Sequence, residues 1–231
     1  MTTKRKFQIV VDCVMTAILP LLMAYSLIGE EFHEWVGVVM FALFLLHHAL
    51  NWKWHKNLFK GRYTAVRIVG TGINAVIFVL MLMLMASGMI MSRFVFRFLP
   101  ISGGTSLARI VHLSASYWCY ILISVHVGLH GNMLMGILRK AVGIREPSVI
   151  RKVLFRMAAI VLAVYGIHAF VNRGFPGYMF LKTQFVFLDY GEPIIFFLLD
   201  YLAIMALFAI LGYYTTKILI SISYKMKNRR D

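Results

Sequence analysis

Six stretches of this chain stay apolar for about 20 residues, the length a helix needs to cross the hydrocarbon of a bilayer. Lipid offers the backbone no hydrogen-bond partners, so such stretches satisfy themselves as helices. They lie near Phe7–Ile28, His33–Trp54, Val69–Met91, Ala108–Ile137, Val153–Val171 and Pro193–Ser223. Breakers separate them at Gly29-Glu30-Glu31, Pro100-Ile101-Ser102-Gly103-Gly104, Glu146-Pro147 and Pro176-Gly177. The chain is 61% hydrophobic, against roughly 45–50% in a soluble domain. The predicted class is all-α: a polytopic membrane protein with about six transmembrane helices. The first run follows Lys4-Arg5-Lys6. It is too long for a secretory h-region and lacks a convincing small-residue cleavage site, so it reads as a span rather than a cleaved signal.

The net charge of +15 would suit nucleic acid if it formed one patch. It alternates instead between the ends of the runs. All but five of the 24 lysines and arginines fall on one side: Lys4 to Lys6, Lys53 to Arg67, Arg139 to Arg156 and Lys217 to Arg230. The other side has Arg93, Arg97, Arg109, Arg173 and Lys182. The positive-inside rule then puts both termini in the cytoplasm of a cell-membrane protein. Asn51-Trp52-Lys53-Trp54 reads as an aromatic and cationic anchor at the inner interface. Anionic lipid accounts for the basic balance, and no nucleic-acid partner is needed.

Helices 1–2 resemble helices 3–4. Met23-Ala24 matches Met85-Ala86, while His33, His47 and Leu50 match His112, His126 and Leu129 at an offset of 79. Both copies run the same way, so the repeat is parallel. The chain divides into a first helix pair (1–68), a second helix pair (69–140) and a C-terminal two-helix segment (141–231).

The repeat carries histidines at matched positions. His33 and His47 are 14 residues apart, and so are His112 and His126. Fourteen residues fall about 40° short of four turns and rise about 21 Å, so each pair shares a face with one member near each leaflet. Ionisable residues inside a membrane usually face the bundle interior. Two facing imidazoles at each depth can supply both axial ligands of a haem iron: His33 with His112 outside, His47 with His126 inside. A four-helix haem-binding bundle of helices 1–4 is expected. His48 competes with His47, but has no counterpart in the repeat. His130, His55 and His168 read as interfacial or core histidines, although His168 could face the outer haem or a quinone. Gly37 and Ser116, one turn below His33 and His112, suit the space beside a haem and suit ordinary helix packing equally. Arg109 could pair with haem propionates or be a plain interfacial arginine. Cys13 and Cys119 lie inside apolar runs, and no Cys-x-x-Cys-His occurs, so the two haems would be b-type and non-covalent.

The paired histidines on alternate helices resemble the di-haem core of respiratory cytochrome b subunits. A closer resemblance is to the flavinylation-associated cytochrome family. It rests on His33-Glu34-Trp35-Val36-Gly37 through His47 to Asn51-Trp52-Lys53-Trp54, on the second copy from His112 to His126, and on the tail Phe187-Leu188-Asp189-Tyr190-Gly191-Glu192 with Asp200-Tyr201. The resemblance implies a transmembrane b-type cytochrome that passes electrons to or from an extracytoplasmic flavoprotein bearing covalent FMN. The sequence contains no flavin domain, and Gly103-Gly104-Thr105-Ser106 lacks the acidic start and Gly-Ala of a flavin-attachment site. A separate flavoprotein partner is therefore implied.

Two other readings compete. One is a quinone-reactive cytochrome b subunit of a dehydrogenase or reductase. The other is a metal-ion or proton transporter, for which parallel repeats also serve. A transport site is usually one midplane cluster, whereas these histidines form two layers. No nucleophile–base pair or nucleotide loop is present, which favours an electron-transfer subunit over a complete enzyme.

Overall fold

The computed structural model describes residues 2–143, 146, 148–186 and 191–227. Arg145, Pro147, the stretch from Phe187 to Tyr190, Arg229, Arg230 and Asp231 lie outside the described residues. Among the described residues the chain forms ten helices and no strand: α1 (Thr3–Met23), α2 (Tyr25–Ile28), α3 (Glu30–Leu50), α4 (Trp52–Lys56), α5 (Ala65–Met91), α6 (Thr105–Leu129), α7 (Gly131–Ala141), α8 (Val149–Asn172), α9 (Phe175–Met179) and α10 (Ile194–Lys227). Six of them, α1, α3, α5, α6, α8 and α10, are long and apolar enough to span a membrane.

Several helices start earlier than their apolar runs, because polar caps lie outside the apolar core of a span. Thr2 Oγ1 accepts from Arg5 N (3.4 Å) ahead of α1, Thr64 Oγ1 from Arg67 N (3.3 Å) ahead of α5, and Ser148 Oγ from Arg151 N (3.3 Å) ahead of α8. Each satisfies a backbone donor left free in the first turn. Breaks also fall inside three expected runs. Pro20 removes one helical hydrogen bond from α1, and the chain turns at Ala24 before α2. Asn51 closes α3, its Nδ2 donating to His47 O at 2.8 Å. The fourth run, expected unbroken to Ile137, ends at Leu129 and resumes as α7. That helix sets Leu134, Ile137 and Leu138 against Arg139 and Lys140, the pattern of an interfacial helix.

The chain divides into two compact units: residues 1–62, 78–118 and 177–199, and residues 63–77, 119–176 and 200–231. In the first unit Val11, Leu19, Met40 and Phe44 form a core where α1 meets α3. Gln8 Nε2 adds bonds to Leu50 O (3.1 Å) and Asn51 Oδ1 (3.3 Å). Ser114 Oγ and Trp118 Nε1 both donate to Met179 O, at 3.0 and 3.1 Å. In the second unit Tyr120, Phe175 and Tyr201 cluster, and Tyr120 OH donates to Tyr201 O at 2.6 Å. Glycines there let helix backbones touch. A Cβ on Gly128 would lie 2.0 Å from Ala209 O, one on Gly212 2.3 Å from Val125 O, and one on Gly166 2.6 Å from Ala203 O. Along α8, Leu154, Val161, Val164, Ile167 and Val171 are exposed, as the lipid-facing side of a span would be.

Candidate functional site

In the first unit α3 and α6 bring His33 and His112 together. Their ring centres are 6.2 Å apart and their planes meet at 68°. Two imidazoles on opposite sides of one metal ion, each bonded at about 2 Å, hold their centres roughly 6 Å apart.

Hydrogen bonding selects the tautomer of His112. Ser87, buried on α5, donates its single proton to Met83 O (2.6 Å) and Leu84 O (3.1 Å). Its oxygen is therefore the acceptor in the 3.0 Å contact with His112 Nδ1. The proton of the neutral ring sits on Nδ1, and Nε2 keeps its lone pair. Gly88 beside it leaves room: an added Cβ would stand 3.6 Å from His112 Cε1. His33 differs. Tyr25 meets its ring edge-on at 5.2 Å, and its Nδ1 is buried with no side-chain hydrogen-bond partner among the described residues; the group that bears on the ring is the Leu22 backbone.

The other two matched histidines each have an acceptor at Nδ1. His47 Nδ1 lies 2.7 Å from Asp12 Oδ1 on α1. In the second unit His126 Nδ1 lies 2.7 Å from Asn74 Oδ1 on α5. Both oxygens accept, so both rings carry the proton on Nδ1 and present Nε2 as a base. This is the state in which histidine ligates a metal, with the outer acceptor fixing ring orientation and raising basicity.

Asp12, Asn74 and Ser87 escaped the sequence reading, yet a signal for them exists. The Met23-Ala24 and Met85-Ala86 match aligns the first helices of the two copies at an offset of 62. The same offset carries Asp12 onto Asn74 and Tyr25 onto Ser87. The residues aligned in sequence thus touch matched histidines: Asp12 and Asn74 meet His47 and His126, while Tyr25 and Ser87 meet His33 and His112.

The remaining candidates separate. His48 Nδ1 lies 2.9 Å from His55 Nε2, and its ring packs on Phe44 and Phe78. Ser116 donates back to Leu113 O at 2.8 Å. Gly37 opens on empty space, with nothing within 4 Å of an added Cβ. Arg109 is exposed. His130 meets the His126 ring edge-on at 4.8 Å. His168 is exposed, and its Nε2 lies 2.8 Å from Asn172 Nδ2 on its own helix. Nearby, Asp200 accepts from Tyr165 OH and from Arg173, whose Nη2 is 2.7 Å away. Among the described residues no three His, Cys, Asp or Glu side chains gather as a metal cluster. No protein-family model, curated protein or solved structure matches the chain.

Proposed function

We propose that this chain is a transmembrane b-type cytochrome that holds two haems non-covalently and carries electrons across the membrane. The observation that carries the reading is the His33–His112 pair: two imidazoles facing each other 6.2 Å apart, one with its tautomer set by Ser87. The donor set fits haem, which takes two axial ligands from the protein. His33 and His112 would hold one haem. His47 and His126, by their matched spacing and matched acceptors, would hold the other. Open space at Gly37 suits the first site. When bound, haem supplies one-electron chemistry. The protein supplies ligands, orientation and an environment poor in water.

The proposal places both termini in the cytoplasm of a cell membrane, which makes His33 and His112 the outer pair. The electron partner on that side is an extracytoplasmic flavoprotein with covalent FMN, as the family resemblance implies. A pyridine haemochrome assay on purified protein tests the core of the reading. Two haems per chain are expected, and none in well-folded protein would refute it. His33→Ala and His112→Ala should remove the same haem, while His47→Ala and His126→Ala remove the other. Reporter fusions at Asp231 and within Ser102–Ser106 test orientation. Stopped-flow oxidation by a flavinylated partner, slowed in His33→Ala, tests the contact side.

A further inference from the structure

Glu34 follows His33 by one residue, so its side chain leaves α3 about 100° further round the axis. There it gathers the turn that follows α5. Oε2 accepts from Ser92 Oγ (2.6 Å), Phe94 N (3.1 Å) and Val95 N (2.9 Å), and Oε1 accepts from Arg93 N (2.8 Å). Ser92 Oγ in turn accepts from Phe96 N at 2.9 Å. Four donors face the carboxylate, an arrangement made for the anion.

Two further observations give this tie a purpose. Ser87, which orients His112, lies five residues before Ser92, about 7.5 Å along the helix. The end of α5 that serves His112 is thus fastened to the residue next to His33. His33 also lacks a side-chain hydrogen-bond partner at its buried Nδ1, where His47, His112 and His126 each have one. Its orientation therefore leans on backbone, that of Leu22 beside the ring and that of α3, which carries it. In the second copy the position 79 residues after Glu34 is Leu113, so no carboxylate stands there. The clamp falls on the copy whose histidine lacks a side-chain partner.

We propose that Glu34 is a positioning residue that sets His33 against His112 by anchoring α3 to the turn at 92–95, where the other matched histidines are held by a side chain at Nδ1. The inference rests on the haem reading of this pair, so its test has an arm independent of haem. Full-length Glu34→Ala, Glu34→Gln and Ser92→Ala are compared in detergent with wild type. Amide hydrogen exchange at Arg93, Phe94 and Val95 should speed up about tenfold or more in Glu34→Ala. Unchanged exchange would overturn the clamp. The low-spin ferric EPR signal that disappears in His33→Ala reports the angle between its two imidazole planes. That signal should shift in Glu34→Ala, less in Glu34→Gln and Ser92→Ala, while the other haem's signal stays. Faster exchange with an unmoved signal would reduce Glu34 to a loop fastener and overturn the positioning role. Wild type without haem would refute the functional reading instead. The His33 ring resonances of labelled protein would then decide: a shift in Glu34→Ala supports positioning, and no shift overturns it. Should Glu34→Ala fail to fold, Ser92→Ala, which removes one donor and leaves the charge, carries the same comparisons.

Discussion

Replacing Gly128 by alanine adds one methyl group where two helix backbones already touch. The new Cβ would stand 2.0 Å from Ala209 O and 2.7 Å from Ala209 C. Ordinary contact starts near 3.4 Å, so α6 and α10 must part locally by about 1.4 Å. The obstacle is backbone and cannot rotate aside. Gly212 meets Val125 O in the reciprocal way, at 2.3 Å, so the two helices cross on small residues from both sides. Overpacking of a tight core costs roughly 1–3 kcal/mol, and a carbonyl in the path argues for the upper end. His126 lies between Val125 and Gly128 on the same turn, so the displacement should also strain its bond to Asn74. The assay is thermal unfolding in detergent of Gly128→Ala, with Gly70→Ala as control. Nothing lies within 4 Å of a Cβ at Gly70, and that change should be neutral or stabilising by about 0.5–1 kcal/mol, as alanine is in a helix. Equal unfolding temperatures for wild type and Gly128→Ala would refute the close crossing.

Ser87→Ala should remove the hydroxyl acceptor at His112 Nδ1 and leave the ring only the Leu84 backbone, a loss of about 0.5–1.5 kcal/mol. It should show as about tenfold or greater loss of one haem during detergent dialysis, with the other retained. Asp200→Ala leaves Arg173 without its carboxylate, at a side-chain exposure of 17%. It should destabilise the protein by up to roughly 3 kcal/mol. Arg173→Ala combined with Asp200→Ala should then cost less than the two single changes added together, as a double-mutant cycle in thermal unfolding would read out.

The spans were legible because length and apolarity alone demand them. Their ends were not, because Thr2, Thr64 and Ser148 act through capping bonds outside the apolar runs. The break at His130 escaped for a related reason: α7 is apolar on one face only, and the run of apolar letters hides that. Matched spacing singled out the four histidines, and the structure brings His33 and His112 together. It could not say what stands behind each ring. Asp12, Asn74 and Ser87 are polar residues in apolar helices, and a sequence does not tell which neighbour such a residue faces. Aligning the first helices at their own offset, rather than at that of the histidines, would have found them. The Glu34 contacts were beyond reach, since three of the four donors are backbone N–H groups 59 to 61 residues away.

The acceptors behind the imidazoles differ between the two proposed haems, and the difference has a direction. A carboxylate that accepts an Nδ1–H makes the imidazole a stronger donor through Nε2, and a stronger donor favours ferric over ferrous iron. His47 has the Asp12 carboxylate and His126 an amide oxygen. His112 has a hydroxyl oxygen, whose proton is committed elsewhere, and no side chain stands at the Nδ1 of His33. The haem of His47 and His126 should therefore have the lower potential. Electrons would run from it toward the His33–His112 pair, the side proposed to meet the flavoprotein. The Glu34 anion beside the outer pair works the other way, but four donors already neutralise much of its field. Asp12→Asn makes the first copy chemically like the second. A tenfold loss of preference for ferric iron corresponds to about 60 mV for one electron. A redox titration should thus find the haem that depends on His47 raised by about 60 mV, and the other unmoved. Asn74→Asp should lower the same haem. An unmoved potential in both variants would break the link between acceptor and iron. A wild-type protein whose outer haem is the lower of the two would reverse the proposed flow.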